Sequence, residues 1–166
     1  MKQLDPELLI AVDAQIQREY TAQHVYLAAH RAFLDAALLG MAAWAWHAAD
    51  EEAGHAVKFA RWLVERDAPA EIGPPGPPPT FYNAPALAVF HEMQALEASV
   101  TAAISDLYAL AEEKEDYDLC EFLHWFIREQ HDSEAALKDI VTLLALVDDE
   151  GAGLLEMDRR LGEAAR

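Results

Sequence analysis

The 166-residue sequence predicts an all-α protein: a four-helix bundle with one long crossover between its second and third helices and a short C-terminal fifth helix. Three observations carry that prediction. Seven of the eight prolines fall between Pro69 and Pro85, so residues 68–85 cannot continue a helix and read as an extended connector. The segments on either side are rich in Ala, Leu and Glu and nearly free of helix breakers. Each is too long for one ordinary helix and is expected to fold back once as a helical hairpin. Within every expected helix, one stripe is apolar at both ends and polar in the middle.

The first helix is expected over about 5–35, with the stripe Leu9, Val12, Ile16, Glu19, Gln23, Tyr26, His30 and Phe33. Its steps alternate between three and four residues, the seam of a bundle helix. A break at Asp35 to Gly40 precedes the second helix, about 40–67, whose stripe is Met41, Ala45, Ala48, Glu52, His55, Phe59 and Trp62. The connector can reach up to about 60 Å when extended. A helix of roughly 30 residues is only about 45 Å long. The chain can therefore cross the whole bundle and leave the second and third helices parallel. The third helix, about 85–112, carries Leu87, Phe90, Gln94, Glu97, Thr101 and Ile104. After a break at Glu112 to Asp118, the fourth, about 116–147, carries Leu119, Leu123, Phe126, Gln130, Ser133, Leu137, Ile140 and Leu144. Leu154, Leu155, Met157 and Leu161 give the fifth, about 152–163, an apolar face. The whole span 1–166 reads as one domain, since this length suits a single core.

Twelve Lys and Arg against thirty Asp and Glu leave a net charge of −18. Such a surface repels phosphate backbones and anionic lipid, so neither nucleic acid nor membrane is expected as a partner, while cations are attracted. The single cysteine, Cys120, excludes disulfide frameworks and cysteine-built metal centres and fits a reducing, cytoplasmic setting. No signal peptide or membrane-spanning run is expected.

Glu19, Glu52, Glu97 and Gln130 lie near the midpoints of their helices, so they meet at one height whichever way each helix runs. Burying three ionised carboxylates without a counter-charge would protonate them or push the bundle apart. No Lys or Arg stands at that level of the stripes, which leaves metal ions. Glu52-Ala53-Gly54-His55 presents a carboxylate and an imidazole at i and i+3 on one face, the inward ligand pair of carboxylate-bridged di-iron bundles. Two divalent ions nearly balance three glutamates. The donor set suits iron or manganese best, with zinc and cobalt also able to bind.

Glu19 with Tyr26 seven residues on, Glu52-x-x-His55, Glu97 and Glu129-Gln130 together resemble the non-haem ferritins over essentially the whole chain. The resemblance implies Glu19 and His55 on one iron, Glu97 on the other, Glu52 bridging both, and Tyr26 and Gln130 in close support. It also implies two iron ions per subunit, ferroxidase chemistry with Fe(II) and dioxygen, and storage of ferric mineral in a self-assembled 24-mer shell. Departures are informative. Asp132 stands where a bacterioferritin would carry a second Glu-x-x-His histidine, and Ala53 where it would carry the haem-ligating Met, so no haem is expected. Ser133 replaces a further Glu of some bacterial ferritins. Glu51, Glu129 and Asp132 remain as a possible outer site or as a solvated acidic surface. His24, His30, His47, His91, His124 and His131 read as structural or surface residues, and Cys120 as a small buried hydrophobe. Two other functions fit the same residues: a ferritin-like di-iron or di-manganese oxidoreductase of peroxidase or catalase type without storage, and a metal-free helical scaffold with protonated glutamates.

Overall fold

A computed structural model describes residues 4–147 and 151–165. It contains α1 (Pro6–Asp35), α2 (Leu39–Glu65), α3 (Ala86–Glu113), α4 (Tyr117–Leu146) and α5 (Gly151–Ala164), with no strand among the described residues. Asp5 caps α1, its side chain accepting from the Glu7 N–H at 2.8 Å, and Pro6 occupies the first helical position where no backbone donor is needed. Asp116 caps α4 in the same way through the Leu119 N–H.

Three helices end alike. Ala37, Asp67 and Glu115 take left-handed φ values of 60°, 52° and 54°. Beyond each, the next N–H reaches back five residues: Leu38 to Phe33, Ala68 to Leu63, and Asp116 to Ala111. This satisfies carbonyls that the helix end would orphan, at positions where glycine is the usual occupant.

The connector runs along α1 from one end to the other. The Glu71 N–H donates to Asp13 Oδ1, the Gly76 N–H donates to Thr21 Oγ1, and residues 79–84 lie against Ala28 to Ala36. It therefore starts near the N-terminal end of α1 and delivers α3 to its C-terminal end. Since α2 begins at that same end, α2 and α3 are parallel.

Burial divides the interior into two apolar clusters. One joins Leu8, Val12 and Ile16 of α1 to Phe59 and Leu63 of α2, Ile104 and Leu107 of α3, and Leu119, Leu123 and Phe126 of α4. The other joins Tyr26, Ala29 and Phe33 to Met41, Ala45, Phe90, Met93, Leu137 and Leu144, with Met157 and Leu161 of α5 closing it. Glu19, Glu52, His55, Glu97 and Gln130 are buried and belong to neither cluster. They form a polar layer between them.

Two expectations need correction. The buried face of α3 runs through Val89, Phe90, Met93, Glu97, Val100 and Ile104, so Leu87, Gln94 and Thr101 are only half-buried. On α1, Leu8 and Gln15 are buried where the stripe had Leu9 and Gln23. The break after α1 falls at residues 36–38, and Gly40 stands at the start of α2, as expected. There α5 crosses so closely that a Cβ at Gly40 would fall 1.8 Å from the Asp158 carbonyl oxygen. Asp158 accepts from the Met41 N–H at 2.8 Å, giving α2 the cap that Leu38 lacks.

Candidate metal centre

Each of the four long helices contributes to the polar layer from near its midpoint. Glu19 comes from α1, Glu52 and His55 from α2, Glu97 from α3 and Gln130 from α4. Helical spacing puts Glu52 and His55 one turn apart, with 3.5 Å between Glu52 Oε2 and His55 Nδ1; Glu19 Oε2 lies 3.8 Å from the same nitrogen. One ligand atom each from Glu19, Glu52 and His55 falls within 4.8 Å of the others, the one such group among the described residues.

Three atoms in this pocket, Glu19 Oε2, Glu52 Oε2 and His55 Nδ1, are buried without a hydrogen-bond partner. A buried polar atom in that condition normally costs a protein stability, and here three of them converge. The ring of His55 is held edge-on against Trp125 and Phe126, with centroids 5.4 and 5.8 Å away. That packing aims Nδ1 at the carboxylates.

Electrostatics agree. Burial pushes the Glu52 carboxyl up to about 8, with the nearby Glu97 charge adding to the rise. Burial and then the Glu52 charge raise Glu19 well above the carboxylate range. Both groups resist carrying their charge in a dry site, and a cation would relieve both at once.

Glu97 is arranged differently. Tyr26 donates its hydroxyl to Glu97 Oε1 at 2.5 Å, and Gln130 donates its amide to Glu97 Oε2 at 2.8 Å. Both oxygens are already used. The Gln130 amide also reaches Thr101 Oγ1 at 3.3 Å. Burial, followed by the Glu97 charge, raises the Tyr26 hydroxyl well above its ordinary range, so it stays a donor.

A cavity of about 460 Å³ opens onto this layer, with Tyr26, Glu52 and Glu97 at its floor and His47, Glu51 and Asp132 around its mouth. Glu51 and Asp132 thus share an opening, next to Ser133. Glu129 is half-buried and does not line it. Of the remaining histidines, His30 contacts the Ala42 carbonyl and His124 contacts Glu121 and Tyr108. Cys120 is buried as a free thiol.

One contributor to the layer escaped sequence reasoning. Gln15, only 1% exposed, donates to Glu19 Oε1 at 2.7 Å. Its signal was present: Leu8, Val12, Gln15, Glu19, Ala22, Tyr26, Ala29 and Phe33 follow steps of four and three without a break. Lys58, one turn beyond His55, is half-buried, and its Nζ sits 3.0 Å from the centroid of the Trp125 ring.

Comparisons with known proteins agree with this geometry. The family model described as "Ferritin: Ferritin-like domain" matches residues 11–147. The bacterial non-heme ferritin of Campylobacter jejuni is 29% identical over 162 residues, covering 98% of this chain and 96% of the relative. That of Bacteroides fragilis is also 29% identical, covering 96% and 99%. Among solved structures, an open pore ferritin from the archaeon Archaeoglobus fulgidus superposes with a TM-score of 0.92 at 29% identity, covering 96% of this chain and 98% of that one. The fold, the central carboxylate and imidazole layer, and the family match over residues 11–147 agree, and the chain belongs to the ferritin family.

Proposed function

We propose that the protein stores iron: it oxidises Fe(II) with dioxygen at the centre of its bundle and deposits the ferric product as mineral inside a self-assembled shell. The observation that carries this reading is the convergence of Glu19 Oε2, Glu52 Oε2 and His55 Nδ1, buried and without partners. Iron here is substrate and cargo. The first ferrous ion binds those three atoms. The second takes Glu97, and Glu52 bridges the two.

The hydrogen bonds on Glu97 support an order of loading. At the first site the three converging atoms have no hydrogen bond to give up, whereas both Glu97 oxygens already accept one, so the second metal must share or displace the Tyr26 or Gln130 contact. Each ferrous ion gives one electron to dioxygen, which leaves as hydrogen peroxide after taking up two protons. Carboxylate ligands favour the ferric product through their charge. The mouth at Glu51 and Asp132 gives Fe(II) an acidic approach, and the net charge of −18 draws it to the surface. Two irons per subunit, a 24-mer shell and a cytoplasmic setting complete the proposal; the single cysteine fits the last of these.

Aerobic addition of Fe(II) to the purified protein tests it. A storage protein oxidises hundreds of irons per shell and keeps them in solution. Consumption that stops near two irons per chain would instead identify a di-iron oxidoreductase without storage. No oxidation above the buffer rate would leave only a scaffold.

A further inference from the structure

We propose that Gln15 is a positioning residue of the first metal site, holding Glu19 as a one-oxygen ligand; this rests on the metal reading of Glu19, Glu52 and His55 given above. Gln15 is buried and lies four residues before Glu19, so the backbone of α1 fixes the reach between them. Its Nε2 donates to Glu19 Oε1 at 2.7 Å. That bond occupies one carboxylate oxygen and leaves Oε2, the atom without a partner, turned toward His55 Nδ1 at 3.8 Å.

The amide has no alternative use. Its own Oε1 is buried and unpartnered, so the bond to Glu19 is its one hydrogen bond among the described residues. Turning the amide over would set Oε1 against Glu19 Oε1, lone pair against lone pair. Once metal binding has ionised Glu19, that repulsion fixes the Gln15 amide, and Gln15 in turn fixes Glu19. A carboxylate free at both oxygens can chelate one metal, whereas one held at Oε1 by the amide is oriented to bind through Oε2. The site then keeps room in its coordination sphere for the bridging Glu52 and for a substrate oxygen. Glu97 gives the contrast, because both of its oxygens accept a hydrogen bond from the protein.

Anaerobic Co(II) titration separates this role from a packing role, because the intensity of the visible bands of Co(II) falls as coordination number rises. Gln15→Met keeps the length of the side chain without the amide. Gln15→Asn keeps the amide but shortens it beyond reach of Glu19, and carries the test if the first variant does not fold. The expected result is a first-site affinity lower by about 10- to 100-fold, at unchanged stoichiometry and with weaker visible bands as Glu19 chelates. Wild-type affinity and spectrum in the variants would overturn the positioning role alone. Weakened binding with an unchanged spectrum would also overturn it, since packing loss would suffice. If wild-type protein shows no saturable Co(II) binding, or Glu52→Ala binds as tightly, the metal reading itself fails.

Discussion

Glu52 is where the charges of the layer meet. Its Oε2 lies 3.5 Å from His55 Nδ1 on its own helix, buried and without a hydrogen-bond partner, and the group feels the Glu97 charge across the bundle. Replacing it with alanine removes a buried group that resists ionisation, so Glu52→Ala is expected to keep its helical content while losing rapid Fe(II) oxidation; stopped-flow absorbance checks this. The pH dependence follows from the same group. Its folded pKa of about 8 lies above the ordinary 4.5. The metal-free folded state therefore binds more protons than the unfolded chain between those values, and loses stability as pH rises through that window. Metal binding must expel the proton, so affinity is expected to fall as pH drops below about 8. Proton release on anaerobic Co(II) addition, measured at pH 6.5 and again above 8, checks the sign: more protons should leave at the lower pH. The four central residues were legible in the sequence because each interrupts an apolar stripe at mid-helix. Gln15 was not. Two stripes one residue apart both run through Val12, Glu19, Tyr26 and Phe33, and only packing decides between Gln15 and Ile16 as the neighbour of the layer. Both turn out to be buried.

At the scale of helices, glycine shows where composition misleads. Gly40 looks like punctuation, yet it is an opening that lets α5 cross α2, and Gly162 meets it from the other side: a Cβ at Gly162 would lie 2.9 Å from the Gly40 Cα. Periodicity within one helix cannot report a crossing by another helix more than a hundred residues away. The same crossing supplies the missing cap of α2, since Asp158 accepts from the Met41 N–H. Asp158→Ala is therefore expected to cost about 1 kcal/mol, read as a lower denaturation midpoint. At the end of α1 the opposite change helps. Ala37 is exposed and holds φ at 60°. The left-handed conformation costs a residue with a Cβ about 1–2 kcal/mol, a penalty glycine avoids. Ala37→Gly is expected to stabilise the protein by about 1 kcal/mol, less the entropy glycine adds to the unfolded chain. Denaturant titration at matched protein concentration compares the two variants.

Across the whole molecule, the polar layer and the connector are two parts of one arrangement. The layer works because all four helices pass through one height. The connector makes α2 parallel to α3, so the α1–α2 pair can present Glu19, Glu52 and His55 while Glu97 and Gln130 arrive on the α3–α4 pair. The proline run was legible as a crossover because its reach exceeds the length of a helix. Its seat along α1 was not, because Asp13 and Thr21 are ordinary polar residues until the connector N–H groups reach them. Assembly is the property that one chain cannot display. Exposed apolar side chains are spread over the described surface, among them Leu39, Trp46, Val64, Tyr82, Tyr117 and Leu146, each more than half exposed. No helix among the described residues is long and apolar enough to cross a membrane, and the proposed shell would bury part of that apolar surface between copies of the chain. The proposed shell of twenty-four chains of 18.4 kDa would have a mass of about 440 kDa. Light scattering coupled to size exclusion is expected to find that mass in the purified protein, and iron added aerobically should co-elute with the same peak. A monomer or dimer that still oxidises two irons per chain would separate the chemistry from storage, because a mineral has nowhere to grow without an enclosed volume.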